Sequence, residues 1–164
     1  EGTKLDNMVH VAHNCRIGNE TVICSCALVA GYVEIEDQAF VSGGVAIHQF
    51  SKVGRLAMIA GGTRVNLDAP PFFTYSGLYV EPAGLNVVGM KRAGFDAAQI
   101  GALKRAYRVL YRSGLRLEEA LARLEEGEPT AEVRHLVEFI RRSERGICRP
   151  GRHRYLAAAP EVRE

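Results

Sequence analysis

From residue 5 to residue 70 the chain places a branched aliphatic at every sixth position: Leu5, Val11, Ile17, Ile23, Val29, Ile35, Val41, Ile47, Val53, Ile59 and Val65. Four places after each stands a residue of small or modest volume: Val9, Cys15, Thr21, Ala27, Val33, Ala39, Val45, Ser51, Ala57, Thr63 and Ala69. Strands alternate with a period of two and helices repeat at about 3.6, so this clock fits neither a hairpin sheet nor a helix bundle. It fits a parallel β-helix, in which each hexad supplies a short strand and a corner and three hexads close one coil. Both columns are expected to point inward, with glycines at corners such as Gly18, Gly31, Gly43 and Gly54 relieving strained backbone. Half-buried antiparallel strands would need turn signals every 8 to 12 residues or so, which are missing.

Where the clock stops, Pro70, Pro71 and Pro82 interrupt the pattern. Residues 1–70 are therefore read as the β-helix and residues 71–95 as a connecting loop without regular pairing. Residues 96–148 read as a helical domain. Asp96 and Gln99 make a capping-box start, and Ile100, Leu103, Tyr107 and Leu110 line one face as far as Gly114. A second helix carries Leu117, Ala120, Leu121 and Leu124, and a third carries Val133, Leu136, Val137 and Ile140. Residues 149–164 are expected to be a loosely ordered tail.

A 47% hydrophobic content over 164 residues supports a real core, and the formal net charge of +2 gives no general attraction to polyanions. The charge is local. Lys104, Arg105, Arg108 and Arg112 form a basic stripe on the first long helix, read either as a solvated face partly neutralised by the acidic second helix or as a dock for an anionic partner. Few aromatics accompany it, so nucleic acid is not expected. No apolar run reaches the ~20 residues of a membrane-spanning helix. Four cysteines without CxxC spacing favour a reducing, cytoplasmic setting. The pattern is already running near Glu1, so earlier coils are expected upstream.

In an 18-residue coil, side chains 18 apart stack. His13, Gly31 and Gln49 share such a column, with His48 next to Gln49 and His10 expected on the corner preceding the His13 strand. His13 lies off both inward columns. It reads either as an inconsequential surface histidine or as a general base above a glycine that presents its backbone N–H to an oxyanion. A metal site needs three converging ligands, and none is expected.

The stretches "NMVHVAHNCRIGN", "ALVAGYVEIED", "AIHQF", "PPFFTYSG", "GLNVVGMKRAGF" and "AYRVLYRSG", in this order, resemble the UDP-N-acetylglucosamine O-acyltransferases, which open lipid A biosynthesis. The resemblance covers nearly all of residues 1–148 and corresponds to the C-terminal three-fifths of that family. It implies a mainly β protein, a left-handed parallel β-helix followed by a small α-helical domain, assembled as a homotrimer with active sites between subunits. It further implies acyl transfer from acyl carrier protein to the sugar 3-hydroxyl, with no cofactor beyond the carrier's phosphopantetheine.

In that scheme His13 is the base and Gly31 the oxyanion donor. His10, Asn14, His48 and Gln49 hold the sugar nucleotide, Asn86 and Arg92 contact the nucleotide and phosphate, and Gly61 is the acyl-chain ruler. The basic stripe of Lys104, Arg105, Arg108 and Arg112 would dock the acidic carrier. The sequence departs from the family at Asn14, where many members have aspartate, at Tyr32, where histidine is common, and at Val88 and Ala93, where Glu and Arg are common. The expectation drawn from Asn14 is that the residue beside the base does not tune it. Two alternatives remain at this stage: the related UDP-3-O-acylglucosamine N-acyltransferase, and a non-catalytic trimeric β-helix scaffold.

Overall fold

The computed structural model describes residues 1–151, and the rest of the expected tail lies outside the described residues. Eleven two-residue strands run in order: β1 (Lys4–Leu5), β2 (His10–Val11), β3 (Arg16–Ile17), β4 (Val22–Ile23), β5 (Leu28–Val29), β6 (Glu34–Ile35), β7 (Phe40–Val41), β8 (Ala46–Ile47), β9 (Lys52–Val53), β10 (Met58–Ile59) and β11 (Arg64–Val65). They pair in parallel with partners 18 residues away, as in His10 with Leu28 and Arg16 with Glu34. Three faces result: β1-β4-β7-β10, β2-β5-β8-β11 and β3-β6-β9. The chain is a β-solenoid, mainly parallel β, followed by helices.

Each strand's second residue points inward, and from Ile23 to Val65 these aliphatics are buried, together with the small column from Thr21 to Ala69. Burying one such side chain contributes about 1.5–3 kcal/mol. Leu5 is 54% exposed and Val11 and Ile17 only partly buried, each lying in the first coil of the described residues. At the other end Phe72, Phe73 and Tyr75 close the column, all fully buried.

The corner strain falls elsewhere than expected. Every sixth residue from Met8 to Gly62 adopts a φ between 52° and 70°, and eight of these ten are not glycine: Met8, Asn14, Glu20, Cys26, Tyr32, Gln38, Phe50 and Leu56. A left-handed L-residue costs roughly 1–2 kcal/mol. Inter-coil hydrogen bonds hold the turns, as when Tyr32 N–H donates to His13 O (3.1 Å) and Gln38 N–H to Asn19 O (2.8 Å). The four corner glycines named from sequence do not have positive φ. Gly18 and Gly54 are required instead by close approach, since a Cβ there would lie 2.5 Å from Asp37 N and 2.4 Å from Pro71 N.

The segment 71–95, expected as an unpaired loop, is largely regular. Strand β12 (Phe73–Ser76) extends the first face by pairing in parallel with β10, and β13 (Glu81–Leu85) returns antiparallel to it. Pro82 is tolerated because β13 is the edge strand and the register shifts at Thr74/Tyr75 beside it. Helix α1 (Val87–Arg92) follows, then α2 (Ala97–Arg112), α3 (Leu117–Glu125) and α4 (Ala131–Arg141). The Asp96/Gln99 capping box is formed in both directions.

Two clamps fix the helices to the solenoid. Phe73 meets Tyr107 edge-on, and Tyr107 Oη donates to Pro82 O (3.2 Å). On the opposite flank, Glu36 pairs with His135 Nε2 at 2.8 Å and with Arg142 at 3.4 Å.

Candidate active site

His10 lies within strand β2 and His13 on the corner that follows it, the reverse of the expected placement. His13 projects across Gly31, one coil on: a Cβ built on Gly31 would lie 2.8 Å from Cε1 and 2.9 Å from Nε2 of the imidazole. The imidazole therefore occupies the space that any side chain at position 31 would need. Gly31 O accepts from Phe50 N–H at 3.1 Å, whereas the Gly31 N–H has no hydrogen-bond partner among the described residues. A ring nitrogen of His13 thus lies beside a residue whose backbone donor has no partner among the described residues.

Asn14 corrects the expectation drawn from its lack of charge. Its Oδ1 sits 2.9 Å from His13 Nδ1. An amide oxygen accepts only, so Nδ1 carries a proton, and in the neutral ring the lone pair is on Nε2, the nitrogen over Gly31. Asn14 is held there by its own left-handed backbone (φ 59°), a conformation asparagine tolerates well. The neighbour does tune the histidine, through its tautomer and orientation instead of through charge.

The face formed by β2, β5, β8 and β11 runs away from this corner. Its outward positions are His10, Leu28, Ala46 and Arg64, with Leu28 53% exposed. Gln49 continues the His13 column on the same corner, and His48 precedes it, with Nδ1 3.1 Å from Gln49 O. Gly61 stands on the opposite corner of this face, above Gly43. A Cβ on it would approach Gly43 O at 3.3 Å, a tight fit from one side only.

Asn86 and Arg92 lie elsewhere. Both line a cavity of about 610 Å³ on the β1-β4-β7-β10 face, with Glu20, Gln38, Phe40 and Met58 among its walls. Asn86 is heavily committed within the chain: its Oδ1 accepts from Gly89 N–H (2.9 Å) as the N-cap of α1, and its Nδ2 donates to Leu56 O (2.9 Å). Its first task is to seat α1 on the solenoid. Val88 is exposed on the same wall and adds apolar surface. Within one chain, then, the sequence-predicted residues divide between two edges of the solenoid.

Lys104, Arg105, Arg108 and Arg112 are all exposed on α2, opposite its buried Leu103, Ala106, Tyr107 and Leu110. The acidic second helix does not neutralise them. Glu118 and Glu125 of α3 pair with Arg141 of α4, Glu126 pairs with Arg123, and Glu119 caps its own helix at Arg116 N–H. Among the described residues no three His, Cys, Asp or Glu side chains are grouped to hold a metal ion, and no helix is long and apolar enough to cross a membrane.

Sequence reasoning missed the aromatic pair beside His13. Tyr32 meets His13 edge-on (centroids 5.2 Å, 88°) and stacks on Phe50 (5.1 Å, 18°). The signal was available: Asn14, Tyr32 and Phe50 are themselves 18 apart, one place after the His13 column.

Comparison with known proteins bears on most of the chain. Residues 68–148 match the family model described as UDP N-acetylglucosamine O-acyltransferase, domain 2. A Burkholderia orbicola protein named acyl-[acyl-carrier-protein]--UDP-N-acetylglucosamine O-acyltransferase is 47% identical over 146 residues, covering 86% of this chain and 56% of the relative. A Bacteroides fragilis UDP-N-acetylglucosamine acyltransferase structure matches with a TM-score of 0.87 at 39% identity, over 90% of this chain and 58% of that one. The Francisella novicida UDP-N-acetylglucosamine acyltransferase matches with a TM-score of 0.86 at 34% identity, over 98% and 61% respectively. The chain spans a little over half the length of these relatives.

Proposed function

Because the chain belongs to the UDP-N-acetylglucosamine O-acyltransferase family, as a C-terminal region of it, we propose that it transfers an acyl group from acyl carrier protein to the 3-hydroxyl of UDP-N-acetylglucosamine. The observation that carries this reading is the close approach of the His13 imidazole to Gly31, whose backbone N–H has no partner among the described residues. The sugar 3-hydroxyl attacks the thioester carbonyl while His13 Nε2 removes its proton. The carbonyl oxygen becomes an oxyanion and accepts from the Gly31 N–H, which has no partner among the described residues to give up. Collapse re-forms the carbonyl and breaks the carbon–sulfur bond; the departing phosphopantetheine thiolate takes the proton from the imidazolium. The products are the 3-O-acyl ester and the free carrier thiol, with no acyl-enzyme and no added cofactor.

The division of residues between two edges supports a site completed by a second copy. The His13 edge of one chain faces the Asn86–Arg92 cavity of the next, as in a homotrimer with active sites between subunits. His10, His48 and Gln49 then hold the sugar, Arg92 the diphosphate, and Gly61 bounds the acyl chain. The exposed stripe Lys104, Arg105, Arg108 and Arg112 meets the acidic carrier. The reaction is placed in the cytoplasm, where the carrier is charged.

The test is incubation of the purified protein with UDP-N-acetylglucosamine and acyl carrier proteins of graded chain length, with the product identified by mass. An ester of one preferred length is expected. No product with any donor contradicts the reading; turnover only with a 3-amino sugar, giving an amide, replaces it with the related N-acyltransfer.

A further inference from the structure

We propose that Tyr32 is a positioning residue for the base, with the Tyr32–Phe50 stack serving as a buttress that keeps the His13 imidazole over Gly31. The proposal rests on the acyl-transfer reading for its kinetic consequence, though not for its structural one. The Asn14 hydrogen bond selects which nitrogen of His13 carries the proton only while it is made, and by itself it leaves the ring free to swing off the acceptor. The Tyr32 ring, at 88° to the imidazole with centroids 5.2 Å apart, restricts that pivot. Phe50 in turn holds Tyr32 by stacking at 5.1 Å.

The three side chains that do this come from equivalent corner positions one coil apart. Asn14, Tyr32 and Phe50 all have left-handed backbone (φ 59°, 59° and 62°), so their Cβ vectors repeat from coil to coil. The repeat geometry alone brings the ladder together. It is not part of the core: Tyr32 is 47% and Phe50 49% exposed, and their outer side opens on a cavity of about 470 Å³ whose lining includes Arg16, Lys52 and Glu144. Two half-exposed aromatics with no core function are accounted for by what they touch. Edge-to-face pairs hold their geometry strongly enough to shift a population by about two- to tenfold.

Tyr32→Ala and Tyr32→Phe separate the roles. Both keep a Cβ at the strained corner, so backbone cost is matched. Two readouts are taken on the full protein: the ¹⁵N signals of the His13 ring without substrate, and kcat and KM for UDP-N-acetylglucosamine across pH. In the wild type and Tyr32→Phe one tautomer, protonated at Nδ1, is expected. In Tyr32→Ala the two tautomers mix, and kcat falls about tenfold with KM within a factor of two or so. A wild-type ring spectrum in Tyr32→Ala overturns the proposal, as does a Tyr32→Phe variant as impaired as Tyr32→Ala. If the wild type makes no ester, the acyl-transfer reading fails while the ring spectra still decide the positioning claim.

Discussion

The imidazole of His13 fills the space where a side chain at Gly31 would stand, its Cε1 only 2.8 Å from a Cβ built there. Gly31→Ala therefore forces the His13 imidazole aside without adding volume to the core. Activity should drop about 100-fold, the scale associated with a misplacement near 1 Å, while the thermal midpoint stays within a degree or two. Kinetics alongside a melting curve check it; a fully active Gly31→Ala variant would show that His13 does not act from the place where the fold holds it.

Asn14 accepts from His13 Nδ1 without contributing charge. Asn14→Asp keeps the acceptor and the left-handed backbone and should retain kcat within about a few-fold, whereas Asn14→Leu removes the acceptor and should lower kcat about tenfold or more, the scale of a misoriented reacting group. Steady-state kinetics on both variants check it; an Asn14→Leu enzyme as active as the wild type would show that this hydrogen bond does not orient the ring.

Glu36 ties the solenoid to α4. Burial alone would raise its carboxyl, but the His135 hydrogen bond, the Arg55 N–H and the charges of His135 and Arg142 outweigh burial and hold it below its ordinary 4.5. A carboxyl lowered by folding contributes stability that is complete above 4.5 and is lost as pH falls through the folded value. Asp68 works the other way. It is raised by burial beyond what its bonds from Ser143 Oγ and Lys52 N–H recover, so its ionised form is a cost at neutral pH that disappears as pH falls toward 3.8. Glu36→Gln should lower neutral-pH stability by about 1–2 kcal/mol and flatten the acid decline, and Asp68→Asn should steepen it. Urea unfolding across pH reads both.

The basic stripe on α2 has no acidic partner among the described residues, because the acids of α3 are paired with Arg141 and Arg123 or used in capping. Reversing Lys104, Arg108 and Arg112 to Glu should raise KM for the acyl carrier about tenfold or more with kcat little changed, and should remove most of its salt dependence. Unchanged KM would leave the stripe as a solvated face.

The solenoid was legible because one constraint repeats: every sixth side chain must enter the same narrow column, so Ile23 and Val65 answer to one pattern. The hairpin was not. Pro71 and Pro82 read as breakers, and only the third dimension shows that Pro82 lies on an edge strand where no ladder donor is required. The column of His13, Gly31 and Gln49 followed from arithmetic on the repeat. What arithmetic could not give was side-chain direction: that Asn14 turns back to Nδ1, that Asn86 is occupied in capping α1, and that Glu36 reaches a histidine 99 positions away.

The central claim is that His13 is the base that moves an acyl group onto a sugar hydroxyl. It is tested most directly by comparing wild type and His13→Ala with acyl carrier protein and UDP-N-acetylglucosamine, following the ester by mass and the oligomer by light scattering. The account predicts ester from the wild type, a loss of about 10²–10⁴-fold in His13→Ala, and an unchanged particle mass. Ester formed at the wild-type rate by His13→Ala would contradict it.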